Sequence, residues 1–298
     1  MSIGPVIGSG GLAMLIPPSI LAVILATLME ISVGGLLIAG ILPGLILAGY
    51  FAIYIVVRAM VQPSSAPPYD VPPIPLNKKI RDTLIYVLPL GIIIFIVVGI
   101  IFLGVATPSE AAAMGALGTT LLALIYRDLD WEKIKQSLLG TIKLTTTMMI
   151  ILMASTVFSQ LVAFSGASAG LIETVLKLDL PPIFFLYMMQ IILLFLGCFM
   201  DNLSIAMIAV PIYLPVVRAL QFDPMWFAVM TLINMDAGNL SPPFGLQLFV
   251  MKGVDPQTPM GEIVKAAFPF FLCEVAIIQT ILFFPEIALF LPRLMQKG

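Results

Sequence analysis

Six stretches of this chain, 36–57, 83–104, 108–126, 144–164, 182–200 and 266–291, run apolar almost from end to end. A helix that crosses the hydrocarbon core of a bilayer needs about 20 such residues. Their recurrence excludes a soluble fold. Only 10% of the 298 residues are charged and mean hydropathy is +1.13, where a soluble domain carries roughly a quarter charged residues. Closed membrane barrels read as alternating segments of about ten residues. The solid apolar runs therefore indicate an all-α polytopic membrane protein.

The few charges narrow the function further. A formal net charge of −2, with the charged residues almost entirely in short connecting loops, gives no nucleic-acid partner. Histidine is absent, which removes the commonest proton shuttle and metal ligand. Cys198 and Cys273 lie inside apolar segments and read as small buried hydrophobes rather than a disulfide or metal pair. No basic region with a short apolar core and cleavage site opens the chain, so no removable signal peptide is expected.

One long polar interruption, "MVQPSSAPPYDVPPIPLNKKIRD" (60–82), divides the chain. Its prolines favour an extended, polyproline-like strap. Three segments follow from it: 1–59, the 60–82 linker, and 83–298. Arg58, Lys78, Lys79 and Arg81 mark the strap, while Arg127, Lys133, Lys135 and Lys143 mark the next polar loop. The positive-inside rule makes both cytoplasmic, and the two spans between them return the chain to the same side. Trp131 among charges at 127–137 suits a short interfacial helix, and "SAGLIETVLKL" (168–178) a short amphipathic one. The 18 methionines read as packing residues.

Two stretches resemble each other. "GSGGLAMLIPPSILAVIL" (8–25) and "MDAGNLSPPFGLQLFVMKG" (235–253) each pass from glycine through a few residues to a Pro pair, then resume as apolar helix. Proline lacks the backbone N–H and turns the preceding residue away from helical geometry. The freed backbone groups cost several kcal/mol each in hydrocarbon unless something polar meets them. Secondary transporters use discontinuous helices of this kind at matching positions of two repeats, with carbonyl ends facing Na+ and half-helix N-termini facing anionic substrate.

A third polar insertion lies in "LGCFMDNLSIAMIAVPIYLPVV" (196–217), where Asp201, Asn202 and Ser204 interrupt an apolar run ahead of Pro211 and Pro215. A charge at bilayer depth costs about 2.5–3.5 kcal/mol even on the lenient insertion scale, so it must face protein, water or an ion. The tip of a re-entrant hairpin spanning about 184–217 meets that need. Thr107, Pro108 and Glu110 have a local explanation as helix cap, first residue and capping acid, and Ala111, Ala112, Ala113, Gly115, Ala116 and Gly118 permit close helix approach.

"IPPSI", "GGLLIAGILPGLILA", "ATPSEAAAMGAL", "FMDNLSIAMIAVPIYLPVV" and "SPPFGLQLFVMKGV", in that order, resemble the large membrane subunit of tripartite ATP-independent periplasmic (TRAP) transporters, the DctM family. The likeness runs from about residue 4 to about residue 290. It implies an inverted-repeat, elevator-type transporter with a re-entrant hairpin and discontinuous helices, in a bacterial inner membrane. It implies import of a small organic acid coupled to Na+, a periplasmic solute-binding protein that delivers substrate, and a small Q-type membrane subunit as partner. No other cofactor and no enzyme activity is implied.

Carried over by position, the Na+ ligands fall at Gly10, Gly11 and Pro17 in the first break, Asp201, Asn202 and Ser204 in the hairpin, and Asn234, Asp236, Gly238 and Asn239 before the second break. Substrate falls beside Ser19, Ser241, Pro242, Pro243 and Gly245, with its carboxylate at a half-helix starting near Pro242. On this reading 1–59 is the remainder of a first repeat, and 83–298 a second repeat with the unwound helix near 226–251 and a final span. Family members are longer, so the helices and hairpin before the first break are expected to be missing here. "DAGNLSPP" is also more polar than the Gly-Leu-Thr-Pro-Pro pattern common in the family.

Several alternatives stay open. Asp236 could instead bridge to Lys252 at a helix end. Glu274 could pair with Lys265 or face a neighbouring helix, and Glu286 follows a Pro at an interface; neither is assigned as a ligand. Asp201 and Asp236 are the minimum for an intramembrane aspartyl protease, but a Gly-x-Gly-Asp pattern is absent. A non-transporting remnant or structural subunit is the remaining rival.

Overall fold

The computed structural model describes residues 3–65 and 75–297, and every element among them is helical. Two compact units emerge: Met1–Ala66 with Ile151–Leu294, and Pro67–Ile150 with Met295–Gly298. Helices α1 (Ile3–Leu15), α2 (Ile20–Leu28), α3 (Val33–Ala39) and α4 (Ile41–Val61) open the first unit. The second holds α5 (Leu76–Asp82), α6 (Leu88–Phe102), α7 (Pro108–Ile125) and the start of α8 (Trp131–Phe164). Returning to the first unit, the chain forms α9 (Ala167–Lys177), α10 (Pro182–Gly197), α11 (Asn202–Ala219), α12 (Pro224–Leu240), α13 (Leu246–Val254), α14 (Met260–Phe283) and α15 (Glu286–Lys297). Among the described residues six helical stretches are long and apolar enough to span a membrane, and a seventh arises if the bent pair α1 and α2 is one span.

Four expectations are corrected by this arrangement. Residues 76–82, assigned to the extended strap, are helical and lead through a π-turn at Thr83–Val87 into α6; residues 66–74 of the strap lie outside the described residues. No separate interfacial helix forms at 127–137, because α8 runs unbroken for 34 residues from Trp131. The 182–200 stretch gives only the 16 residues of α10, about 24 Å of helix against a core of about 30 Å, and it is one arm of a helical hairpin with α11. The final apolar stretch is two helices, since Pro285 separates α14 from α15.

In the second unit α7 begins with a capping box. The Glu110 amide donates to Thr107 Oγ1 at 3.3 Å and the Thr107 amide donates to Glu110 Oε2 at 2.8 Å. Behind it Gly115 and Gly118 turn toward Val97 and Ile93 of α6, where an added methyl would lie 3.1 and 3.3 Å from those side chains. Close α6–α7 packing therefore follows from the small residues of "EAAAMGALG". Thr107→Ala removes the cap and is expected to lower stability by about 1 kcal/mol, read as a small fall in the thermal unfolding midpoint; Thr107→Ser should restore it.

The core of the first unit is α12, buried from Trp226 to Leu240 without interruption. It packs against α1, α10 and α14, and it can do so closely because glycines face its neighbours. Gly197 on α10 meets Gly238 on α12 backbone to backbone, so that a methyl on Gly238 would lie 2.5 Å from Gly197 Cα. On α1, Gly4 and Gly8 receive the ring of Phe270 of α14, which stacks edge-on with Phe51 and Tyr54 of α4 at 5.1 and 5.4 Å between centroids. One helical turn on from Phe270 is Glu274, and one turn on from Gly8 is Gly11. The small-residue stripe of α1 thus ends at a carboxyl group.

Candidate functional site

Both sequence breaks are breaks in the structure, and both lie in the first unit. Between α1 and α2 the helix axis bends by 46° over Ile16–Ser19, and the chain between α12 and α13 leaves helical geometry over Ser241–Gly245. The Pro17–Pro18 and Pro242–Pro243 bonds are both cis. Ser19 is buried and caps α2, its Oγ accepting from the Ala22 amide at 3.3 Å. Ser241 closes α12, and its hydroxyl donates to the Pro242 carbonyl at 3.4 Å. The second half-helix starts at Leu246 rather than near Pro242, because Gly245 holds φ +42° and becomes the residue before the helix. That left-handed conformation is one only glycine adopts freely.

At the hairpin tip Asp201 is the N-cap of α11. Its carboxylate accepts from the amides of Leu203 (3.0 Å) and Ser204 (3.1 Å) and from the Ser204 hydroxyl (2.5 Å). A carboxylate satisfied by backbone donors at a helix N-terminus is stable without any ion. The neighbouring Asn202 reaches further: its Oδ1 accepts from Asn239 Nδ2 of α12 at 3.1 Å, and its Nδ2 lies 3.5 Å from Met14 Sδ of α1. The hairpin tip and both broken helices therefore meet at one side chain. Arg218 and Glu30, 3.2 Å apart, join the far ends of α11 and α2 at the surface.

Along α12 the polar residues face different partners. Asn234 donates to the Gln190 carbonyl (2.8 Å) and to Gln190 Oε1 (2.7 Å) on α10. Asp236 accepts from Gln247 Nε2 at 2.6 Å and lies beside the Glu274 carboxyl, the two acids facing Gly11 together. Gly238 is occupied by the α10 crossing. The rival pairings of Asp236 and Glu274 with lysines do not form: Lys252 donates instead to the carbonyls of Pro256 (2.7 Å) and Thr258 (2.8 Å), and Glu274 faces Asp236. Gly10 approaches Gln247, and Gly11 lies against Asp236 Oδ2 and Glu274 Oε1. Thr107 and Glu110, in the second unit, are taken up by the capping box.

Buried oxygens without a hydrogen-bond donor collect in this region: Asn234 Oδ1, Asp236 Oδ2, Asn239 Oδ1, Gln247 Oε1 and both Glu274 oxygens. Bare acceptors in an apolar core are costly, and they are the atoms a hard cation would seek. Glu274 and Gln247 are the residues sequence reasoning missed. Glu274 is an acid in the middle of an otherwise apolar membrane helix, which by itself marks a functional position, and it stands one turn after Phe270 on the face that meets α1.

A family model, the DctM component of tripartite ATP-independent periplasmic transporters, matches residues 1–287. Among similar proteins is the C4-dicarboxylate TRAP transporter large permease protein DctM of Pseudomonas aeruginosa, 33% identical over 97% of this chain and 67% of its own length. The ectoine/5-hydroxyectoine large permease UehC of Ruegeria pomeroyi is 29% identical over 96% of the chain and 66% of itself. The sialic acid large permease SiaM of Vibrio cholerae is 29% identical over 94% of the chain and 64% of itself. The chain spans about two thirds of the length of these relatives.

Proposed function

Because the chain belongs to the family of DctM components of tripartite ATP-independent periplasmic transporters, integral membrane permeases and not enzymes, we propose that it forms the moving core of a Na+-coupled importer. Its substrate is a small organic acid, delivered by a periplasmic solute-binding protein, and a small Q-type subunit accompanies it in the bacterial inner membrane. The α10–α11 pair is a re-entrant hairpin in this reading, and the first unit, which gathers hairpin and both breaks, is the part that travels in an elevator motion.

The observation that carries the proposal is the convergence on Asn202 of Asn239 from the second broken helix and Met14 from the first. A hairpin tip pinned to two helix breaks brings side-chain oxygens and freed carbonyls to one place, as ion-coupled transport requires. The residues present suit Na+: Asn239 Oδ1 is buried without a donor, and the carbonyls of Ser241, Pro243 and Phe244 lie outside the helical ladder, while those of Pro242 and Gly245 accept from the Ser241 hydroxyl and from the Leu248 and Phe249 amides. Asn202, Asn239 and that break would hold the ion, while Asp201 and Ser204 shape the tip. Na+ bound there would supply positive charge beside the substrate carboxylate. Ser241 and the start of α13 at Leu246, where backbone amides point outward without helical partners, are the place for the substrate carboxylate.

Uptake of a C4-dicarboxylate into proteoliposomes holding the permease, Q-type subunit and binding protein is expected to require an inward Na+ gradient. Asn239→Ala should lower it at least tenfold. Asp201→Ala should also lower it, with a stability loss of about 1 kcal/mol from the lost cap. Uptake that persists without Na+, or is indifferent to Asn239, overturns the assignment.

A further inference from the structure

Helices α4 and α14 of the first unit run antiparallel. Tyr50 of α4 shares a hydrogen bond with Thr280 Oγ1 at 3.1 Å, while Tyr54, one turn on, meets Phe270, which lies earlier on α14. Between the two helices runs an open groove of about 470 Å³, with Tyr50, Tyr54 and Val57 on one wall and Pro269, Cys273 and Ala276 on the other. Its walls are almost wholly apolar. Four residues after Tyr54 on the same helical face comes Arg58, and four before Pro269 comes Lys265. Because the helices are antiparallel, both cations stand at one end of the groove. Both are exposed, and no ion pair among the described residues reaches either. One acid, Glu262, precedes Lys265 on α14, so two cations against one acid leave that end net positive.

We propose that this groove binds an anionic phospholipid, its phosphate between Arg58 and Lys265 and one acyl chain laid past Tyr54 and Cys273 toward Tyr50. The depth of each part fits. Both helices are long and apolar enough to span, Arg58 lies in the last turn of α4, and Lys265 lies near the start of α14. The cations therefore stand where a span leaves the hydrocarbon, at headgroup level. From there the groove runs inward along α4 from Val57 to Tyr50, about 10 Å at the rise of a helix. An apolar slot alone would suit any lipid chain, but unpaired cations at its mouth select a headgroup that carries net negative charge, and a guanidinium suits phosphate oxygens in particular. A single molecule that joins an apolar chain to an anion meets both ends of the groove, and the bilayer supplies one. None of these residues belongs to the Asn202–Asn239 junction, so the site does not depend on the Na+ assignment.

The test titrates phosphatidylglycerol and phosphatidylcholine of identical chains into lipid-stripped, purified permease and counts bound lipid by native mass spectrometry. Location is read from Cys273, which lines the groove and is the one thiol left in a Cys198→Ser background, through its rate of labelling by an apolar maleimide. Phosphatidylglycerol is expected to bind about 10- to 30-fold more tightly than phosphatidylcholine, the order that two cations near a headgroup supply, and to slow labelling of Cys273. Arg58→Gln with Lys265→Gln should cut that preference to less than about threefold while phosphatidylcholine binding stays as it was. Ala276→Phe, which fills the groove from an exposed position, should remove the tight binding of phosphatidylglycerol; the charge variant, altered at two exposed positions, decides the matter if Ala276→Phe fails to fold. Equal affinity for the two lipids, a preference that survives the charge variant, or tight binding that leaves Cys273 labelling unchanged overturns the site. Protection of Cys273 by glycerol phosphate as strong as that by the lipid overturns the place of the acyl chain. Protection that appears only with a second copy of the chain or with the Q-type subunit, and not with lipid, overturns the proposal and gives the groove to a protein partner.

Discussion

Gly238→Ala is expected to abolish the accumulation of folded, monodisperse permease, and it does so against the intrinsic preference of the helix. In the middle of a helix alanine is better than glycine by about 1 kcal/mol. At position 238 the new methyl would lie 2.5 Å from Gly197 Cα and 2.8 Å from Gly197 C, which is backbone, so no rotamer change relieves the clash. Ordinary overpacking by a side chain costs about 1–3 kcal/mol, and displacing the buried α12 from α10 should exceed the top of that range. Overpacking outweighs propensity, and the hydrogen bonds from Asn234 to Gln190 on the same helix pair are lost with it. Gly140→Ala supplies the opposite sign: nothing lies within 4 Å of that position on α8, so the same substitution should stabilise by about 1 kcal/mol. Size-exclusion profiles and thermal midpoints of the two variants, measured in the same detergent, check both statements; equal midpoints would remove the close α10–α12 crossing.

Much of this fold was legible in the residues because lipid leaves few choices. Apolar runs gave five of the six spanning stretches, paired prolines gave both breaks, and "ATPSE" marked the start of α7. The amphipathic reading of 168–178 matches α9 at Ala167–Lys177. Legibility ended where a property depends on a neighbour distant in sequence. Asp201, the most visible intramembrane acid, spends its carboxylate on its own helix end, a local capping pattern that "DNLS" could have suggested. Glu274 drew no assignment because its partner lies 38 positions earlier on another helix. Nothing in "FFLCEVAII" reveals that Asp236 waits opposite. Boundaries failed for a related reason: the half-helix begins at Leu246 because Gly245 takes a left-handed conformation, and a Pro pair alone does not say on which residue helical geometry resumes.

Gly10 and Gly11 separate the two kinds of constraint on α1, and substitution of each by alanine is expected to give results that differ sharply although the positions adjoin. A methyl on Gly10 would meet Gln247 at 3.3–3.5 Å, the far end of a flexible, half-buried side chain that need give way only slightly and keeps its bond to Asp236, so Gly10→Ala should leave the thermal midpoint close to wild type, helix propensity offsetting the small displacement. Gly11→Ala has no such outlet. Its methyl would occupy the space of Asp236 Oδ2 and crowd Glu274 Oε1, two fully buried side chains, the first of them held by Gln247. Overpacking of about 1–3 kcal/mol should appear as a clear fall in the thermal unfolding midpoint. Because the damage falls on the carboxyl pair and not on a backbone crossing, Gly11→Ala should still yield folded protein, with the loss seen in its midpoint rather than in its yield. A Gly11→Ala protein with the midpoint of Gly10→Ala would show that α1 does not press on the carboxyl pair, and would remove the close α1–α12–α14 contact at Gly11.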